Sequence, residues 1–432
     1  MTGSKKIIII IASGALITIC LFMLTITCQS PYTTTKTRWN LAAIYNPASS
    51  QVHPAFKVYH NSDNTSLLFV KLFPSELLFN QANVEGQFVS KVSVQVQNYE
   101  IDGIKTTLVD SMTYTYTIKQ ENVGKRFLAQ IPIKTEMGKR YQLRIVTRDI
   151  LRKDFNLQFI DVDKTSVYSE QNFNILNQNG IPYFDNIIPP GSVYKIQHRN
   201  PIHDKIQISF YKNQTPLPKP VFAVSPDAVL YNKPDSVYTI DYSSNLYIGF
   251  SQEGLYKFRF DTSQVEGLIL LNLGKDFPKV KAVKDILEPL AYITTSGEYN
   301  NLLKEQNKKL TVDNFWLKVG KSTSKARELI RIYYNRVYFA NYYFTTSKPG
   351  WKTDKGMVYI VYGPPQNMQK TPISEIWLYY TKGTSKVISF TFLYKPTPFS
   401  IDNFDLQRSE DQDWHWREAI DSWRSGEIYL TE

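Results

Sequence analysis

The sequence predicts a multidomain β plus α+β chain: two N-terminal antiparallel β-sandwich domains followed by a C-terminal α+β domain. Three observations lead there. Apolar and polar residues alternate at period two through the first half, Gly and Pro interrupt those runs at short intervals, and from about residue 277 the apolar spacing becomes three-four. At 432 residues the chain exceeds one ordinary core, and with 42% of its residues hydrophobic and 14% aromatic it can fill several. Tyr (29) and Phe (24) far outnumber Met (6), which suits β packing.

The first segment is not part of that body. Lys5 and Lys6 precede an uncharged run from Ile7 to Ile26, which is the basic n-region and apolar h-region of an export signal. Leu24-Thr25-Ile26-Thr27-Cys28 resembles a bacterial lipobox, although Thr27 is bulkier than the residue usual before the cysteine. The resemblance implies that Cys28 is lipidated and becomes the first residue of the mature chain. Acyl chains then tether the body to a membrane. Cys20, mid-way along the apolar run, is the poorer candidate. About 20 apolar residues also fit an uncleaved anchor, with Lys5 and Lys6 on the cytoplasmic side.

The expected organisation is residues 1–27 as signal, 28–38 as tether, 39–163 and 164–276 as β domains, and 277–432 as the α+β domain. The N-terminal segment also resembles lipoproteins of Bacteroidota-type envelopes, whose surface-exported members tend to carry an acidic cluster just after the lipidated cysteine, whereas the first acid after Cys28 here is Asp63. The expectation is therefore an outer-membrane, periplasm-facing body.

Within 39–163, Val92, Val94 and Val96 alternate with Ser93, Gln95 and Gln97. Met112, Tyr114, Tyr116 and Ile118 repeat the pattern, as do Tyr141, Leu143 and Ile145. Thr65 to Phe73 is more continuously apolar, as befits a strand near a core centre. Asp102-Gly103, Gly124 and Gly138 supply turns. In 164–276, Val193 to His198, Lys205 to Tyr211, Val237 to Tyr242, Leu246 to Phe250 and Leu255 to Phe260 read as strands. Pro189-Pro190-Gly191 and Pro216 to Pro220 punctuate them. The same pattern also fits one larger β domain.

Beyond Phe277, Val280 to Asn307 has helical spacing broken at Pro289. Ser322 to Phe344 is an amphipathic helix with a stripe of Leu329, Ile330, Tyr333, Val337 and Ala340, N-capped by Ser322 or Thr323. Strands are expected at Met357 to Tyr362, Glu375 to Tyr380 and Lys386 to Tyr394, and a last helix at Asp411 to Arg424.

Gly350-Trp351-Lys352-Thr353-Asp354 reads G-W-x-T-D. It follows Arg336-Val337-Tyr338-Phe339-Ala340-Asn341 and precedes Gly356 and Val358-Tyr359-Ile360-Val361-Tyr362-Gly363-Pro364-Pro365. Phe315-Trp316 lies upstream and Ile376-Trp377 downstream. This ordered string, from about Leu290 to Tyr394, resembles the GWxTD-domain family of bacterial envelope proteins. The resemblance covers roughly the last third of the chain and implies no catalytic residue.

Read from its residues, the motif is a folded turn. Gly350 supplies a positive φ, Trp351 anchors the core, Thr353 and Asp354 cap the turn into the Met357 strand, and Gly363-Pro364-Pro365 ends that strand. The alternative pairs Asp354 with Arg331 or Arg336 as a polar site for a peptide or glycan. Trp416 and Trp423 share a helical face, buried in the core or exposed as a docking surface.

Catalytic signatures are sparse. His53, His60, His198, His203 and His415 make no metal-binding spacing, and no nucleophile elbow or phosphate loop occurs. Glu410, Asp411 and Asp413 beside Trp414 and Trp416 fit the acidic start of a helix, or a carbohydrate cleft with paired carboxylates. The net charge of +11 is dispersed, with Lys304, Lys308, Lys309, Lys318 and Lys321 near one helical region. It suits a solvated face, or contact with acidic lipid or an acidic partner, and no nucleic-acid motif accompanies it.

The expected function is a non-catalytic lipoprotein scaffold or accessory subunit of an outer-membrane assembly or secretion complex. Its partners would be the membrane and envelope proteins, with no cofactor, metal or nucleic acid. The competing expectation is a periplasmic glycan- or peptide-binding module, or a weak hydrolase of envelope polymers.

Overall fold

Alternating side chains become strands wherever one face finds a core, and nineteen strands form among the described residues. The computed structural model describes residues 40–200, 204–212, 215–224, 233–243, 246–381 and 386–429. Cys20, Cys28 and His203 lie outside them, as do the signal and the tether.

The first sandwich comprises β1 (Ala55–Tyr59), β2 (Thr65–Leu72), β3 (Gln81–Ala82), β4 (Phe88–Asp102), β5 (Lys105–Lys119), β6 (Phe127–Lys134), β7 (Arg140–Asp149) and β8 (Asp154–Asp163). One sheet runs β1-β2-β6; the other runs β3-β4-β7-β8, with β5 also paired to β4. All these pairings are antiparallel. Leu68, Val70, Ile131 and Ile133 meet Val92, Val94, Val96, Leu143 and Ile145 between the sheets. The continuous apolar run of β2 has a cause: Phe69 turns to the other face and packs edge-on against Phe184, with centroids 6.5 Å apart. Gly103, at φ 59°, closes the long β4–β5 hairpin.

The second sandwich comprises β9 (Phe173–Leu176), β10 (Ser192–His198), β11 (Lys205–Lys212), β12 (Ser236–Asp241), β13 (Tyr247–Phe250), β14 (Gly254–Arg259) and β15 (Leu268–Asn272). Its sheets run β13-β10-β9 and β12-β11-β14-β15, around Phe173, Ile175, Ile196, Ile206, Ile208, Phe258 and Leu270. On the outer side of the latter sheet, Tyr211, Leu255 and Leu271 pack with Phe399.

The C-terminal part contains α1 (Val283–Leu287), α2 (Ser296–Lys304), α3 (Lys308–Gly320), α4 (Thr323–Phe344), α5 (Asp354–Tyr362) and α6 (Asp413–Arg424). Beside them lies an antiparallel sheet of β16 (Asn367–Thr371), β17 (Ser374–Tyr380), β18 (Val387–Tyr394) and β19 (Phe404–Leu406). Pro289 ends α1 in a 3-10 turn, Glu288–Ile293. Ser322 caps α4, its hydroxyl accepting from the Lys325 N–H at 3.2 Å.

One expected element is wrong. Met357 to Tyr362 is not a strand but the body of α5. All six of its residues are buried, so the run carries no amphipathic period, and a short apolar run does not distinguish a buried helix from a buried strand. Its ends decide: the Thr353 hydroxyl accepts from the Gly356 N–H at 3.0 Å, and Gly363 at φ 85° closes the last turn.

The chain's pieces interlock. The 3-10 turn Ala42–Tyr45 leaves the first sandwich and joins the C-terminal core, where the Leu41 N–H donates to the Met368 carbonyl at 2.9 Å. Val221 enters the same core from the second sandwich. Arg140 of β7 donates to the Tyr394 hydroxyl of β18 at 2.8 Å.

Candidate functional site

The motif folds as a 3-10 turn, Gly350–Lys352, running directly into α5. Gly350 does not take the positive φ expected of it. It is required for space: a Cβ there would lie 2.0 Å from the Ala340 carbonyl oxygen, and one on Gly356 would lie 1.9 Å from the Gly350 oxygen. The turn thus sits flush against α4. Trp351 is buried, its backbone N–H donating to Asn341 Oδ1 at 3.1 Å and its backbone carbonyl accepting from the Tyr292 hydroxyl at 2.7 Å. Thr353 works twice, donating to the Gly350 carbonyl at 2.7 Å while capping α5.

Asp354 faces inward. Its Oδ2 accepts from the Leu406 N–H of β19 at 2.7 Å, and Arg408 grips both oxygens at 2.6 and 3.2 Å. Burial pushes this carboxyl above its ordinary pKa, and Arg408 and the Leu406 N–H pull the other way. The pairing of Asp354 with Arg331 or Arg336 is therefore corrected. Arg331 is solvent-exposed on α4, and Arg336 is buried, donating to the Ile360 and Val361 carbonyls at 3.2 and 2.8 Å. There it closes the C-terminus of α5, whose last carbonyls favour a cation. Gly363 lies so close to this guanidinium that a Cβ would meet Nη2 at 2.9 Å. Pro364 and Pro365 then stop the helix.

Trp416 and Trp423 do share a face, and it is core: Trp423 is fully buried, donating from Nε1 to the Val361 carbonyl at 2.9 Å. A docking surface is not what that face forms. Trp414 is exposed and Trp416 buried, so the two do not flank one cleft. Asp413 pairs with Arg417 one turn on, at 2.7 Å.

The groups that do converge were not singled out by the motif. Lys355, the residue after Asp354, places Nζ 2.9 Å from Glu375, and Lys370 approaches the other Glu375 oxygen at 2.7 Å. The Tyr45 hydroxyl donates to the same carboxylate at 3.1 Å. Burial alone would raise the Glu375 pKa, but the two ammonium groups outweigh it and hold the carboxyl well below the usual range. Burial prevails at Lys355, which falls to about 8; at Lys370 it loses to Glu375, and the pKa rises. The Phe404 ring covers Lys355, with Nζ 3.5 Å from the centroid.

This triad lies in a cleft of about 560 Å³ that also takes in β1, β8, the end of α4 and residues 401–404. Glu170 and Asp402 also line it. Burial, then the charge of Asp402, lifts Glu170 to about 7. Surrounding protein, then Asp161, lifts Asp402 to about 6. Lys57 is pushed down to about 8 by burial. Perturbed groups collected in a cleft are the usual physical mark of a working site. One signal in the sequence pointed here: Glu375 occupies the inward parity of β17, with Trp377 and Tyr379.

Among the described residues no three His, Cys, Asp or Glu side chains gather as a metal would need. His60 is buried with Nδ1 2.8 Å from Ser66 and Nε2 3.0 Å from the Asp163 carbonyl, and His198 is buried likewise. No helix among the described residues is long and apolar enough to cross a membrane.

No curated protein matches this chain. Among solved structures, a Bacteroides uniformis β-glucuronidase is 12% identical, covering 32% of this chain and 16% of its own, with a TM-score of 0.17. A second structure, Bacteroides uniformis β-glucuronidase 2 covalently bound to cyclophellitol-6-carboxylate aziridine, gives the same identity, coverage and TM-score. This chain thus spans less than a fifth of either structure's length. The family comparison reaches further, beginning at the first residue of β14 and ending just past α6: residues 254–425 match the GWxTD domain, and the chain is a GWxTD domain-containing protein.

Proposed function

We propose that this chain is a non-catalytic, membrane-tethered scaffold or accessory subunit of a bacterial envelope assembly, held by a lipid on Cys28 with its body facing the periplasm. The observation that supports this reading is how the signature motif uses its chemistry. Trp351, Thr353 and Asp354 are all buried, and their polar groups bond to the domain's own Asn341, Tyr292, Gly350, Leu406 and Arg408. A motif whose polar groups are satisfied inside the fold builds a module for other surfaces to use. Stacked β units on a tether suit a protein that spans and positions partners.

A second reading, a glycan- or peptide-binding module, is favoured by the charged cleft beside Lys355. Affinity purification of the full chain from solubilised membranes separates the two. Stoichiometric integral-membrane partners are the outcome expected for a scaffold. A specific soluble glycan or peptide with no protein partner would move the assignment to the second reading.

A further inference from the structure

The cleft of about 560 Å³ lies within the range that holds small ligands and side chains. Two features of its walls point to the occupant. First, β1 and β8 are each the outermost strand of their sheet, and both line the cleft. Among the described residues, Asn156 to Ile160 of β8 pair with β7 on one side and with no strand on the other, and the 3-10 turn Ala42–Tyr45 packs near this strand. Such an edge accepts an extended peptide by continuing the sheet. Second, the lining carries five carboxylates against three lysines, in a protein whose net charge is +11. Glu375 is neutralised by Lys355 and Lys370. Among the described residues, Asp402 forms no ion pair within 4 Å, and Glu170 has only the Asn186 amide at 3.3 Å.

These acids do not converge as metal ligands. The cation that suits them therefore has reach and an apolar stem, which the Phe159 and Phe184 rings in the same lining accommodate. We propose that the cleft binds an extended peptide segment of a partner protein, its backbone along the outer edge of β8 and its Lys or Arg side chain among Asp402, Asp161 and Glu170. Desolvation and neighbouring acids raise the pKa of Asp402 and of Glu170, and Lys355, Lys370 and Lys57 only partly offset this. The inference adds to the scaffold reading the chemistry of the partner it would hold.

The test uses the purified full chain in detergent and two pooled libraries of capped heptapeptides. One pool has Lys or Arg at the centre and the other has Gln, with the remaining positions randomised. The central-cation pool is expected to be retained at least tenfold over the Gln pool. That preference should disappear in Asp402→Asn/Glu170→Gln, with the melting temperature unchanged. Equal retention of both pools, retention of neither, an unchanged preference in the double variant, or n-butylamine competing as well as the peptides would each overturn the proposal. Neither the tether nor the native partner enters this measurement, so it fails or succeeds separately from the membrane pull-down.

Discussion

Asp354 and Arg408, 54 residues apart, form a forked ion pair at 2.6 and 3.2 Å with both side chains less than a tenth exposed. The pair joins the start of α5 to the segment after β19, so the motif's last residue fixes the sheet to the helices. Arg408 also donates to the Lys219 carbonyl at 3.3 Å, extending the tie to the second sandwich.

Asp354→Asn therefore costs more than the loss of a turn cap. A cap is worth about 1 kcal/mol, whereas removing one partner of a buried pair costs about 3–5 kcal/mol. Chemical denaturation should show the larger value. Adding Arg408→Met should recover part of it, because the stranded guanidinium is then gone. A cost near 1 kcal/mol with no recovery in the double variant would falsify the pairing as the dominant contact.

Gly350→Ala and Gly356→Ala should each cost roughly 3 kcal/mol or more, since the added carbon meets backbone oxygens that do not move aside. Gly297→Ala is the control. Nothing lies within 4 Å of its Cβ, and it sits in α2, so Ala there should stabilise by about 0.5–1 kcal/mol. Thermal melts of the three variants give the comparison. A Gly350→Ala protein as stable as the parent would mean that the turn does not sit flush on α4.

What was legible in the sequence was what local rules control. Period two in Val92 to Val96 and Tyr141 to Ile145 gave strands because one face of each is buried, and the Leu329, Tyr333, Val337 stripe gave α4 with its Ser322 cap. Met357 to Tyr362 misled because a helix buried on every side carries no periodic signal. Arg408 was missed for another reason: its meaning depends on a carboxylate 54 residues away, and no spacing rule connects them. The cleft was hidden in the same way, since Tyr45, Asp161, Glu170 and Glu375 come from four separate segments. Glu375 alone left a trace, as a charged residue on the inward parity of an otherwise aromatic strand.

Trp351→Ala should cost about 3–5 kcal/mol, combining lost burial with the cavity it leaves. Trp414→Ala, at an exposed position of the last helix, should fall within about 0.5 kcal/mol of the parent. Denaturation midpoints of the two variants, measured side by side, separate an aromatic that holds the fold from one that does not. Equal midpoints would place Trp351 outside the core.

The acid response of the protein should pass through Glu375. Its carboxyl is held below the ordinary range by Lys355 and Lys370 against the opposing effect of burial, so the folded state binds a proton less readily than the unfolded chain. A carboxyl depressed in this way contributes stability that is fully present above its unfolded pKa of about 4.3 and is lost as pH falls toward the folded value. Glu375→Gln removes the charge and leaves two buried ammonium groups facing each other, one of them under the Phe404 ring. At pH 7 the variant should be about 3–5 kcal/mol less stable than the parent. Between pH 5 and pH 3 (on the order of one unit either side of the unfolded pKa) the gap should narrow, because the unfolded parent takes up a proton at Glu375 there while its folded state still holds the carboxylate, and the variant has no such group. Urea denaturation of both proteins across that range measures it. A gap that stays constant with pH would show that Glu375 is held by packing and hydrogen bonds alone, and that the two lysines do not depend on its charge.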